Sequence, residues 1–365
     1  MMTKRVASGG LALAIALAAG AAAWAVQPTQ GTGWRDVLAT PAVKSPLASR
    51  ALLNGLASAG SRIVAVGQRG HILYSDDAGK SWRQAEVPVS SDLVAVSFPD
   101  ATTGWAVGHD GVVLRSTDAG LSWTLQLDGI QAGAAMVRHY QREAQALAAG
   151  DPGRAAQLIE EARRFEAQGA ENPLLDVWFR DASEGFVVGA FGLVLHTTDG
   201  GAHWAPWLHA LDNPKGLHLY AVRGIGADVY ISGEQGLLLK MERGDTRFRA
   251  LDLPYKGTLF GITGSARSLV AYGLRGTVLR STDAGRSWQP TPTGLQVGLT
   301  AGTLQDDGRI VIVSQAGHIL SSTDDGASFK AASTGRTVPA AAVAIPAKGT
   351  VVIAGPRGAQ SLPLP

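Results

Sequence analysis

Apolar and polar residues alternate in short runs along most of the chain, and the runs return in the same order. In residues 93–127, LVAVSF, GWAVG, VVLRST and SWTLQL are β-branched or alternating segments parted by Gly, Asp and Ser. Such a pattern predicts four short strands joined by turns. A first apolar run, Gly-x-x-Gly, a second run and then Ser/Thr-x-Asp-x-Gly-x-x-Trp recur most clearly from Val64, Trp105 and Val270. Altered copies begin at Phe186 and Val311, a degenerate one at Tyr230 and a truncated one at Val352. The second Gly of each pair, or its equivalent, falls at Gly70, Gly111, Gly192, Gly236, Gly276, Gly317 and Gly358, spaced by 41, 81, 44, 40, 41 and 41 residues. Seven units with one insertion of about 40 residues account for this series. Four strands in a unit of about 40 residues is the signature of a propeller blade, so the predicted fold is an all-β, seven-bladed β-propeller.

The insertion breaks the two-residue alternation. Between Leu125 and Leu174, Met136, Tyr140, Ala144 and Leu147 recur at helical intervals, as do Leu158, Ala162 and Phe165. Gly150 ends the first helix, and Asp151 with Pro152 caps the second. Residues 130–172 therefore read as an α-helical hairpin between blades 2 and 3. By the up-down order of strands in a blade, the hairpin is expected on the Gly-x-x-Gly face, away from the Asp turns. The last unit lacks a fourth strand, and Trp34-Arg35-Asp36-Val37-Leu38 resembles one, so residues 34–39 are expected to complete that blade and close the ring.

Each Asp turn has a local physical account. Asp77, Asp118, Asp199, Asp283 and Asp324 can accept backbone N–H groups of their own turn. Trp82, Trp123, Trp204, Trp288 and Phe329 can bury a ring beneath it. These turns read as structural staples, not catalytic motifs.

Composition sharpens the picture at three places. Glycine makes up 46 of 365 residues, and the repeated turns absorb much of that excess. The chain has no Cys, which excludes disulfides, thiolate metal sites and cysteine nucleophiles. Lys4 and Arg5 precede an uncharged apolar run, Val6 to Val26, in which Ala23-Trp24-Ala25 has the form of a signal-peptidase site. Residues 1–25 read as a cleaved secretory signal, with an uncleaved membrane anchor as the competing reading. The net charge of +2 belongs to that segment, because it holds Lys4 and Arg5 and no acid. The remaining propeller, residues 26–365, is formally neutral and has no global attraction for nucleic acid.

Candidate chemistry is sparse. The His residues show no H-x-x-x-H or H-E-x-x-H spacing, and no G-x-S-x-G or Walker sequence occurs. No catalytic, metal or cofactor site is expected, and no small-molecule substrate. What remains is basic. Arg69, Arg275 and Arg357 share the position before the second Gly of their turns, with Arg357 and Arg69 on neighbouring blades and Arg275 two blades from Arg357. Tyr140, Arg138, Arg142, Arg163 and Arg164 of the hairpin are further candidates for contact with a partner, since an insertion in a regular array more often serves recognition than stability.

The repeat G-x-x-G-x-(V/I)-L-x-S/T-x-D-x-G-x-S-W after a signal-like segment resembles the photosystem II stability/assembly factor family of Asp-turn (bacterial neuraminidase repeat) propellers. The resemblance covers Trp34 to Leu362 apart from the hairpin. It implies a non-enzymatic, exported scaffold that assists an integral membrane protein complex through an Arg-rich patch. Similar chains of non-photosynthetic bacteria accompany exporters of the resistance-nodulation-division type, so a periplasmic location and such a transporter are the expected compartment and partner. Sialidases carry similar Asp turns, which leaves a glycan-binding or glycoside-hydrolysing propeller as the alternative. The Phe/Tyr-Arg-Ile-Pro segment of those enzymes has no counterpart here.

Overall fold

A computed structural model of the chain describes residues 35–332, 337–347 and 349–364. The expected signal, residues 1–25, and Trp34 lie outside them. Seven antiparallel sheets are formed among the described residues, six of four strands and a last one of three, each with its strands in chain order. The innermost strands are Leu53–Ala59, Leu93–Ser97, Leu174–Phe179, Leu219–Ile225, Leu259–Ser265, Leu299–Leu304 and Ala342–Ala347. Each packs against the next, and the seventh packs against the first. This is a closed seven-bladed propeller, with its blades numbered below in chain order.

Burial follows from that arrangement. Second strands such as Arg62–Gly67, Gly104–Gly108 and Ile310–Ser314 lie between neighbouring sheets and are apolar on both faces. Fourth strands are reduced to two residues in five blades, as at Arg83–Gln84 and Gln289–Pro290. So short an outer edge offers little backbone for pairing with another chain.

The ring closes differently from the sequence expectation. Val37–Ala39 is a 3-10 turn rather than a strand, and blade 7 keeps three strands. Residues 37–45 run instead along the outer edge of blade 1. Ser90 N donates to Val37 O at 2.9 Å, Ala42 N to Val87 O at 3.0 Å, and Lys44 Nζ to Gln84 O at 2.8 Å. The physical reason is that Asp36 caps the turn by accepting Leu38 N, which turns the chain out of an extended conformation. Closure rests on side-chain packing. Ile63, Ala344 and Val352 form one buried cluster with Leu56 and Trp82, and Gly79 of blade 1 lies against Val352 of blade 7.

Two helices lie between blades 2 and 3 in chain order, α1 (Gly129–Gly150) and α2 (Pro152–Gln168). Asp128 caps α1 by accepting Gln131 N, and Asp151 caps α2 by accepting Arg154 N.

Candidate functional site

The two faces of the ring are made by different turns. On one face, a 3-10 turn such as Gln68–Gly70 links the second and third strands. The first glycine of its pair is extended, and its need is steric: a Cβ on Gly108 would overlap the Asp92 carbonyl. The residue before the second glycine is left-handed at Arg69 (φ 55), Asp110 (φ 58), Phe191 (φ 54), Gln235 (φ 54) and Arg275 (φ 57). Left-handed backbone at non-glycine residues is unfavourable and clusters at functional positions. It also turns these side chains outward.

Arg69, Arg275 and Arg357 are exposed on this face. Arg357 occupies the turn where Gly355 pairs with Gly358. None of the three guanidinium groups has a hydrogen-bond or ion-pair partner within the described residues, whereas three acids near this face are engaged by amides and Asp110 of the blade 2 turn is not. Asp92 accepts Arg69 N at 2.6 Å, Glu234 accepts His218 N at 2.9 Å, and Asp128 accepts Gln131 N at 2.8 Å.

The opposite face carries the Asp turns. Asp77 accepts Ser81 N at 2.8 Å and Ser81 Oγ at 2.6 Å, while Ser75 Oγ accepts Gly79 N and donates to Asp77. Asp118, Asp199, Asp283 and Asp324 repeat the network, with His203 replacing the second Ser at Asp199. Hydrogen bonds from Ser287 and Ser281 lower the Asp283 carboxyl to about 2, and those from Ser328 and Ser322 do the same for Asp324. Trp123 and Trp288 are buried beneath their turns, donating Nε1 to Gly120 O at 3.2 Å and Gly285 O at 3.0 Å. Trp82, Trp204 and Phe329 are half-buried at the same position.

The hairpin does not stand on the Gly-x-x-Gly face. It starts there, with Gly129 against Gly111, and then folds along the outer strand of blade 3. The cause is the apolar stripe. Met136, Tyr140, Leu158, Ala162 and Phe165 join Leu127, Leu174, Leu195 and Leu208 in one core cluster, so projecting freely would expose that surface. A cleft of about 580 Å³ is left between α1 and blade 3, lined by Arg138, His139 and Arg142 on one side and by Asp199 and His203 on the other. The hairpin therefore reaches an Asp turn, contrary to expectation.

Tyr140 is not a surface contact residue. It is fully buried, its hydroxyl 3.3 Å from His209 Nδ1, and burial pushes the phenol well above its ordinary range. Arg138, Arg142, Arg163 and Arg164 are exposed. Arg164 lies over the Phe165 ring at 5.6 Å, and Arg163 is 4.0 Å from Glu160. Arg154 of α2 ties that helix to Leu208 O of blade 3 at 3.4 Å and pairs with Glu161 within the same helix at 3.3 Å.

The axial channel was also unforeseen. It encloses about 780 Å³, is lined by all seven innermost strands, and holds one ion pair, Asp176 with Arg223. Asp176 accepts Val222 N at 2.8 Å; its side chain is 5% exposed and that of Arg223 42%. Burial raises the Asp176 carboxyl against the pull of Arg223. The signal was present in the repeat: Gly55, Ala95, Ala221, Gly261 and Ala301 occupy the matching bulge position in the other blades, so Asp176 is the exception to a small-residue rule. Among the described residues no group of three or more His, Asp or Glu is placed to hold a metal ion.

The family described as photosynthesis system II assembly factor YCF48 matches residues 19–138 and 162–294, more than half of the chain, and omits residues 139–161 of the hairpin. A curated relative, the photosystem II assembly lipoprotein Ycf48 of Synechococcus sp. (strain CC9902), is 33% identical over 138 residues, 37% of this chain and 40% of the relative. The alignment thus spans well under two thirds of that protein. A solved structure of YCF48 bound to D1 peptide superposes with a TM-score of 0.63 at 15% identity, covering 88% of this chain and 96% of that one. YCF48 from Cyanidioschyzon merolae gives 0.60 at 15% identity, covering 88% and 97%. At such identity these two speak for the fold.

Proposed function

The chain belongs to the photosynthesis system II assembly factor YCF48 family, and on that premise we propose that it is a non-enzymatic, exported accessory factor for an integral membrane complex. The observation that carries the reading is the set of guanidinium groups at Arg69, Arg275 and Arg357, exposed and unpaired on one face of a rigid ring. A cation with no partner in its own chain contributes little to folding and stays free to meet an acidic partner. Arg138 and Arg142 form a separate basic group beside the Asp199 turn, and Arg163 and Arg164 are exposed on α2.

A periplasmic location and a partner of the resistance-nodulation-division exporter type are the finer parts of the proposal. The hairpin supports a partner other than a photosystem, because residues 139–161 fall outside the family match. The Synechococcus relative is a lipoprotein, whereas these 365 residues contain no Cys to carry a thioether-linked lipid.

Chemical crosslinking in intact cells, followed by identification of the captured protein, tests the reading. Capture of an integral membrane transporter is expected, with at least about a tenfold fall when Arg69, Arg275 and Arg357 are all changed to Glu, since charge reversal at an interface costs several kcal/mol. Failure to capture any membrane protein, together with hydrolysis of a sialoside or other glycoside, would replace it with the glycan-processing alternative.

A further inference from the structure

Exposed large apolar side chains are distributed unevenly between the two faces. Among the described residues six are exposed by 38% to 72%. Phe191 and Leu274 sit in Gly-x-x-Gly turns. Ile130 follows Gly129, which packs on the blade 2 turn. Leu47 precedes the short helix Ala48–Arg50, packed on the blade 7 turn. Val43 follows Ala42, which lies beside Gly70 of the blade 1 turn. Leu121 alone belongs to an Asp turn.

We infer that the Gly-x-x-Gly face is a bilayer-docking surface, whose apolar tips enter the lipid interface while Arg69, Arg275, Arg357, Lys215 and Lys256 meet anionic headgroups. The inference rests on the reading above only in placing the chain beside a membrane. Four observations favour a lipid surface over a second protein as the occupant of these tips. They belong to five different blades or their flanking segments, so they form no single patch of the kind a protein hot spot needs; a fluid interface accepts separated tips without complementary pockets. Phe191 and Leu274 stand within turns of one face, and Ile130, Leu47 and Val43 flank residues packed on such turns, so all five border the same side of the ring. The cations are interleaved with them: Lys215 and Lys256 are exposed beside the blade 4 turn, while of the turn acids on this face Glu234 is engaged by a backbone amide and Asp110 alone has no hydrogen-bond partner within the described residues. Finally, Phe191 takes the left-handed position shared by five of these turns (φ 54) and is 48% exposed, with its ring tilted against His218. An aromatic held outward at a backbone cost does nothing for the core and suits a headgroup interface.

The absence of Cys permits a direct test with the full chain. A single cysteine is introduced as Leu274→Cys or, on the opposite face, as Leu121→Cys, and labelled with a polarity-sensitive fluorophore. Protein-free vesicles of phosphatidylethanolamine and phosphatidylglycerol are then added. A blue shift at position 274 and none at 121 is expected. Adding Phe191→Asn, a residue that tolerates the same backbone, lowers the bound fraction of the 274-labelled protein at least about threefold, given the apolar area removed. An unchanged 274 signal, or equal shifts on both faces, overturns the inference, even if another segment tethers the chain to the vesicle. Because no protein partner is present, that failure leaves the crosslinking result, and hence the partner reading, untouched.

Discussion

Asp283 and Asp324 show at single-residue scale what the repeated turn contributes and where it fails. Their carboxyls are held at about 2 against an ordinary 3.8, so the folded state binds protons less readily than the unfolded one. The sign follows from linkage: the contribution is complete above about pH 4 and is lost as pH falls toward 2. Urea midpoints measured from neutral pH downward should therefore decline steeply only in that window, and Asp283→Asn should flatten the decline. Backbone conformation gives a second prediction. Ala284 is left-handed at φ 60, where blade 3 has Gly200 at φ 70. Relief of that strain outweighs the entropy lost by glycine, so Ala284→Gly should stabilise by about 0.5–1 kcal/mol in denaturant melts. Gly108→Ala should cost about 3 kcal/mol, because its Cβ would overlap the Asp92 carbonyl. The turn glycines and aspartates were legible in the sequence because their role is local and repeats. Asp176 breaks the small-residue rule of its repeat position, but its pairing with Arg223 was not legible, because that depends on which residue the neighbouring blade places opposite it.

At the scale of elements, the hairpin was readable as two helices and misread in its placement. Helical spacing identifies an apolar stripe, but only the fold supplies the surface that covers it, here the side of blade 3. The segment near Trp34 fails for the same reason: likeness to a fourth strand carries no information about the Asp36 cap that redirects the chain. Docking of the hairpin is centred on Tyr140, His139 and His209. The His139 and His209 rings lie 6.1 Å apart, and burial lowers the pKa of both; Arg142 acts in the same sense on His139, and His139, Arg154 and Arg247 do so on His209, while Glu143 opposes at each. Both imidazoles are therefore harder to protonate when the hairpin is docked than when it is free. As pH falls below about 6.5, the ordinary imidazole value, protonation favours the undocked state. Hydrogen exchange corrected for intrinsic rates should show α1 and α2 losing protection in that range, well before the strands do near the Asp-turn window. Tyr140→Phe should cost about 1 kcal/mol, and Tyr140→Ala about 3–5 kcal/mol.

For the whole molecule, the seven-unit count and the all-β class were legible because a propeller writes its architecture once per blade. Ring closure was not, because it rests on unlike partners, with Val352 of blade 7 buried against Gly79 and Ile63 of blade 1. Val352→Asp should destabilise the fold by about 3 kcal/mol or more, as an unpaired charge in a dry contact does. The proposed function lies at the same scale, in the difference between two faces built from two kinds of turn. Photo-crosslinking in intact cells from position 275 on one face and position 121 on the other measures that difference most directly. An integral membrane protein is expected to be captured from position 275 and not from position 121; capture from position 121 alone, or equally from both, would overturn the assignment of the Gly-x-x-Gly face.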